Sequence, residues 1–345
     1  NVAVGTYSLK NNTTANNNTA VGYNSLLSNT TGTQGVAVGS SALTANTTGE
    51  NNTAVGYLAM TTTTTGDNNT GIGQGALRYN QTADNNTAVG KDALRSNTTG
   101  TNNAALGKDA LKLNTTGGSN TALGKDALKL NTTGSFNTAI GTGGGALANN
   151  TTGGSNVGIG AQALGSNTTA SNNTALGSFT LRDNQTGTQN VAVGVSALTN
   201  NEVSNNTAVG YNSLTANTTG TFNVALGSLT LDANTTGGNN TAIGYEALTA
   251  NTTASDNTAV GMRSMRLTTT GIENTALGTS SLQHNTSGDS NTAIGRLALQ
   301  QNTTADNNTA VGRSALQQNT TGTSNVAIGA NALDANTTGS SSTAV

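Results

Sequence analysis

A five-residue phrase of the type Asn-Thr-Ala-Val-Gly returns every 17 residues along the whole sequence. Its closing glycines are Gly5, Gly22, Gly39, Gly56, Gly73, Gly90, Gly107, Gly124 and Gly141, then Gly160, Gly177, Gly194, Gly210, Gly227, Gly244, Gly261, Gly278, Gly295, Gly312 and Gly329. Two steps differ. The step from Gly141 to Gly160 gains two residues near Gly143 to Gly145, and the step from Gly194 to Gly210 loses one near Glu202-Val203-Ser204. A 17-residue unit is too short for a strand-helix-strand crossover and long enough for one coil of two short strands and two turns. The expected fold is therefore all-β: a parallel β-solenoid (β-roll) of about twenty 17-residue coils, one continuous array over residues 1–345. Coils ~4.8 Å apart would make a rod on the order of 95 Å long. A helical turn in each KDALKLN-like segment is the second choice.

Numbered 1 to 17, the unit reads N-T/V-A-V/I/L-G-x-x-A/S-L-x-x-N-T-T-G-x-x, with Met60 and Met265 replacing the leucine of position 9. Alternation puts positions 2 and 4 on one strand face and the small residues of positions 3 and 5 on the other. With positions 2, 4, 8 and 9 turned inward, the core contains Val55, Val89, Leu94, Leu111, Leu128, Ile140, Ile243 and Leu248. The Ala/Gly face then admits close approach of another backbone. In the converse orientation, alanine and glycine fill a narrow interior while positions 2 and 4 meet a neighbouring chain. Both leave a second face in need of cover, so the expected partner is the chain itself, as a homo-oligomer or filament.

Composition removes several alternatives. Proline, cysteine and tryptophan are absent, charged residues make up 8% and aromatics 3%. Disordered chains are poor in β-branched residues, whereas this one is full of Thr, Val and Ile. A net charge of -2 gives no basic field for nucleic acid, and no apolar run is long enough for membrane insertion. The sequence begins at Asn1 without methionine and stops inside a repeat at Val345, so it reads as an excerpt of a longer fibre.

The pentapeptides Asn52-Thr53-Ala54-Val55-Gly56 and Asn137-Thr138-Ala139-Ile140-Gly141, each followed three residues later by a small residue, resemble the head repeats of YadA-like trimeric autotransporter adhesins, whose motif reads roughly NSVAIGxxSxAxG. The longer NTAVGxxAL...NTTG pattern is similar to repeats of bacterial and phage tail-fibre proteins. The likeness runs through all 345 residues. It implies a left-handed parallel β-roll, three chains wound about one axis, and a surface that attaches to host or matrix carbohydrate or protein. The NTTG turn makes this unit longer than the usual autotransporter repeat, and no neck, coiled-coil stalk, membrane barrel or C-terminal chaperone segment is present.

Chemistry is sparse. His284 is the one histidine and lies in the variable part of its repeat, while Asp183, Asp232 and Asp334 are scattered among turns, so no catalytic set assembles and no enzyme is expected. Asp67, Asp84, Asp256, Asp289 and Asp306 precede the pentapeptide in some coils only, unlike the acidic nonapeptide of calcium-binding rolls. No metal or cofactor is expected. Gly143-Gly144-Gly145 lacks the Lys-Ser/Thr of a phosphate loop and reads as a bulged turn.

Three features invite a surface role. Lys91, Lys108 and Lys125 stack in register, as do Arg95, Lys112 and Lys129, which makes a docking patch for an anionic polymer or a duplicated, solvated face. Asn46, Asn97, Asn114, Asn131, Asn217, Asn234, Asn251 and Asn319 open N-x-S/T triplets and are either glycan acceptors or members of a stacked asparagine ladder. The Thr-rich turns could also order water. The expected function is an extracellular structural fibre shaft or adhesin, on a cell surface or virion, acting as rigid spacer and attachment surface. The alternatives are a self-assembling, N-glycosylated extracellular filament and an ice-binding β-solenoid.

Overall fold

A computed structural model describes residues 1–345 as two compact units, Asn1–Asn173 and Thr174–Val345. The first holds ten strands, from Val2–Val4 to Val157–Ile159, and the second holds eleven, from Thr174–Leu176 to Thr343–Ala344. Every strand begins at repeat position 2. Within each unit, consecutive strands pair in parallel and in register, as in Thr87↔Ala104, Ala88↔Ala105 and Val89↔Leu106. Each unit is thus a parallel β-solenoid, with 17 residues per coil as the repeat predicts.

One three-residue strand forms per coil where two were expected, and the rest of the coil is turns and bends rather than a helical turn. The cause is backbone conformation at positions 7 and 9. Asp92 and Leu94 have φ of 55° and 49°, and the same signs recur in coil after coil. Such residues interrupt a strand, but they still bond between coils: the Leu94 amide donates to the Ala110 carbonyl at 2.8 Å. A left-handed leucine costs about 1–2 kcal/mol. Full burial of its side chain, worth ~1.5–3 kcal/mol, offsets that cost.

The core corrects the orientation of the strand. The alanine of position 3 points inward and is fully buried in Ala54, Ala88 and Ala139. Val55, Val89, Ile140 and Ile243, expected inside, lie on the outer face and are only half-buried; Leu94, Leu111, Leu128 and Leu248 are buried as expected. The physical reason is width. The position-9 leucine fills the coil from the opposite wall, and at Gly71 and Gly158, which replace that alanine, even a Cβ would approach Met60 and Leu147 at 2.9 and 3.3 Å.

Glycine at position 5 answers to the chain's own next coil. A Cβ on Gly90 would lie 2.6 Å from the carbonyl oxygen of Gly107, one coil on, and Gly90 has φ of 136°, so stacking of successive coils itself demands glycine. The two irregular steps leave the ladder intact. The extra residues fall at the corner after Gly141, and Thr138↔Val157 through Ile140↔Ile159 stay paired. At the shortened coil, the Val203 carbonyl accepts the Asn190 and Asn201 side-chain amides, replacing the carbonyl of the usual position-15 residue.

Candidate functional site

Half of the interior is polar, and it consists of two asparagine columns. At position 1, each side-chain oxygen accepts the backbone N–H of the next asparagine: Asn52 Oδ1 from Asn69 at 2.9 Å, Asn86 Oδ1 from Asn103 at 3.0 Å. At position 12, the side-chain amide donates to the asparagine of the preceding coil, as Asn97 Nδ2 does to Asn80 Oδ1 at 2.9 Å, except where Thr63 and Thr268 interrupt the column. Both columns also clamp the carbonyl of position 15; Gly100 O accepts Asn86 Nδ2 at 2.9 Å and Asn97 Nδ2 at 2.8 Å. A buried amide with all these bonds made is affordable, and one without them is not.

The eight asparagines of the N-x-S/T triplets belong to the position-12 column. Asn46, Asn97, Asn114, Asn131, Asn217, Asn234, Asn251 and Asn319 are at most 2% exposed. Each donates its Nδ2 to the preceding ladder member and to the position-15 carbonyl, from Asn29 and Gly49 for Asn46 to Asn302 and Gly322 for Asn319. A sugar on Nδ2 would have to replace one of those bonds and has no space in the folded coil. The position-13 threonines are committed too: Thr98 Oγ1 donates to the Thr115 carbonyl at 3.0 Å, while Thr99 at position 14 is exposed.

The outer strand face is the first accessible surface. Position 2 alternates between threonine and valine, and position 4 is Val, Ile or Leu in every coil. Val38, Ile72, Leu106, Leu123 and Ile159 are 37–50% exposed in the first unit, as are Leu226, Ile294 and Ile328 at 38–46% in the second. At Ala104, where position 2 is neither Thr nor Val, the stripe has a notch of about 240 Å³ bounded by Thr87, Leu106, Thr121 and Leu123. The expected core included Val55, Val89, Ile140 and Ile243 of this stripe, and the observed orientation is the converse one, with alanine and glycine inside. The signal that identifies it is tolerance: position 2 accepts a polar or an apolar residue, whereas position 3 accepts only alanine or glycine.

The second surface carries the stacked cations. Lys91, Lys108 and Lys125 stand at position 6, and Arg95, Lys112 and Lys129 at position 10, where Arg78 extends the column by one coil. Asp109 holds Lys112 at 2.9 Å and Asp126 holds Lys129 at 3.2 Å. Lys108 and Lys125 lie 3.9 Å from the same two carboxylates, with side chains 57% and 65% exposed. Arg78 and Arg95 both lie over the Tyr79 ring, at 5.1 and 5.8 Å.

Remaining charged groups have local roles. Asp67, Asp84, Asp289 and Asp306 each accept the position-16 N–H of the preceding coil at 2.7–2.8 Å, and Asp256 accepts Asn239 Nδ2 at 3.1 Å. No three His, Cys, Asp or Glu side chains converge in a way that could hold a metal ion. His284 is half-buried in a turn. In the second unit, Glu246 accepts Arg263 Nε at 3.0 Å and Arg266 Nε at 3.3 Å. The Tyr245 hydroxyl and these arginines hold the Glu246 carboxyl below the usual range, while burial pushes Asp232 up. Comparison with known proteins finds no family model and no curated protein that matches this chain.

Proposed function

We propose that this chain is a segment of an extracellular fibre, a shaft that self-associates through its outer strand stripe and holds attachment surfaces away from a cell or virion. The observation that carries this reading is the aliphatic residue on the outer face at position 4 of every coil, half-buried in some coils and exposed in others. Isolated exposed aliphatics need no explanation, but a continuous line of them marks an interaction site.

A second copy is the partner whose spacing fits, because its coils repeat at the same height and its stripe presents the same alternation of Thr/Val and aliphatic residues. The stripe continues through all the coils of a unit, so two such faces in contact make one continuous interface rather than scattered contacts. Threefold association and left-handed winding are the parts of the proposal that rest on the likeness to YadA-like heads.

Val89→Lys combined with Leu123→Lys tests it. Both side chains point outward, so the folded coil tolerates them while a dry interface does not. The expected result is an unchanged far-ultraviolet circular dichroism spectrum with loss of the assembly; an assembly that survives both lysines overturns the reading.

A further inference from the structure

We propose that the stacked cations between Arg78 and Lys129, with the glycine bulge that follows them, bind a linear acidic polysaccharide running along the coil stack. The surface is separate from the self-association stripe, since it occupies positions 6, 7 and 10 rather than 2 and 4, and the inference does not rest on that association.

Charge is the first observation. Seven of the chain's 13 cations, Arg78, Lys91, Arg95, Lys108, Lys112, Lys125 and Lys129, fall in this short segment. Against them on the same positions stand Asp92, Asp109 and Asp126, so the face carries +7 - 3 = +4 in a chain of net charge -2. The aspartates divide the work: they hold Lys112 and Lys129 close, and leave the position-6 lysines extended toward solvent. Like charges one coil apart, ~4.8 Å, repel unless an anion lies across them.

The bulge is the second, independent observation. Four residues, Thr142 to Gly145, stand where other coils have two, directly after the last lysine of the position-6 column. Gly143, Gly144 and Gly145 have φ of 72°, 113° and 72°, and none of their N–H groups is donated within the chain. Gly143 and Gly144 are exposed and Gly145 is buried; Gly144 borders a pocket of about 250 Å³ with Asp126, Lys129, Leu130, Ala148 and Asn149. The exposed amides of Gly143 and Gly144, without side chains and close to Lys129, are donors suited to an anionic oxygen.

The class of polymer follows from spacing and from the lack of stacking platforms. A sugar unit is about as long as a coil is tall, so a polymer with one acid group per sugar presents one anion to each lysine in turn. Single-stranded nucleic acid binds through aromatic faces, and Tyr79, the aromatic residue here, already has Arg78 and Arg95 over its ring.

The test uses the 345-residue chain and size-fractionated oligogalacturonate, with Kd measured at low and at physiological salt. Affinity is expected to rise with oligomer length until the cationic coils are spanned, and to fall with salt. Lys108→Gln with Lys125→Gln should weaken binding about tenfold, whereas the charge-matched pair Arg296→Gln with Arg313→Gln should change it less than about twofold. Deleting Gly143 and Gly144, which restores the 17-residue step, should weaken it several-fold. Four results would overturn the proposal: no binding at low salt, equal losses from the two charge-matched pairs, full affinity without the bulge, or tighter binding of oligothymidylate of the same charge.

Discussion

Two coils break the position-12 asparagine ladder, and repairing them should stabilise the protein by an amount that can be worked out. Thr63 and Thr268 occupy the ladder position and are fully buried. Their Oγ1 atoms have no hydrogen-bond partner, and neither do the Oδ1 atoms of Asn46 and Asn251, one coil before. Thr63→Asn supplies the missing donor to Asn46 Oδ1, a donor to the Gly66 carbonyl, and an acceptor for Asn80 Nδ2, which now donates only to the Ala83 carbonyl. Each bond is worth about 0.5–1.5 kcal/mol net, and an unsatisfied buried group costs about 1–3 kcal/mol. Asparagine is one heavy atom larger than threonine, and tight packing takes back part of the gain. The expected net stabilisation is ~1–3 kcal/mol at each site, local to the altered coil because solenoid stability is a sum over neighbours. Native-state hydrogen exchange reads it as slower exchange of amides around residues 46–66, and separately around 251–271. The reverse change at an intact rung, Asn114→Thr, should cost a similar amount. If Thr63→Asn is neutral or destabilising while Asn114→Thr is harmless, the ladder is not what holds these turns, and the reasoning fails.

Other expectations follow from the same geometry. Gly90→Ala places a methyl 2.6 Å from the Gly107 carbonyl oxygen at a φ closed to alanine, and should destabilise by ~3 kcal/mol or more in chemical denaturation. Gly35 stands where the position-1 column has asparagine and supplies no acceptor for the Asn52 N–H; Gly35→Asn should slow exchange of that amide. Burial raises the pKa of Asp232, so its folded state favours the neutral acid, and the associated stability is present at low pH and lost as pH rises through the folded pKa. Asp232→Asn should therefore raise the denaturation midpoint of the second unit at neutral pH and leave it unchanged in acid. Glu246 has the opposite sign: its depressed pKa contributes stability above the ordinary glutamate range that disappears as pH falls, and Glu246→Gln should remove that part of the acid sensitivity.

The repeat made the coil height, the parallel register and the leucine wall legible, because each depends on something that recurs at one position. Leu94, Leu111 and Leu128 could be placed inside from their invariance alone. The strand face could not be read the same way. Val55 and Ile140 look like core residues by hydropathy, and only the lack of space above the position-9 leucine turns them outward. The asparagines were ambiguous for a related reason: Asn-Thr-Thr-Gly is equally the spelling of an exposed turn and of a sugar acceptor. Burial distinguishes a ladder from both, and burial depends on Asn97 meeting Asn80 across a coil, a contact with no local signature. The lysine columns were visible from register, but the exposed amides of Gly143 and Gly144 depend on the route the backbone takes around the bulge.

The central claim is that the aliphatic stripe at position 4 is covered by other copies of the chain. The most direct measurement is the molar mass in solution, by light scattering on a sizing column over a range of concentrations. A trimer, three times 34.0 kDa, is the predicted result. A species of 34.0 kDa at every concentration would contradict it, and would mean that the stripe meets solvent or a different partner.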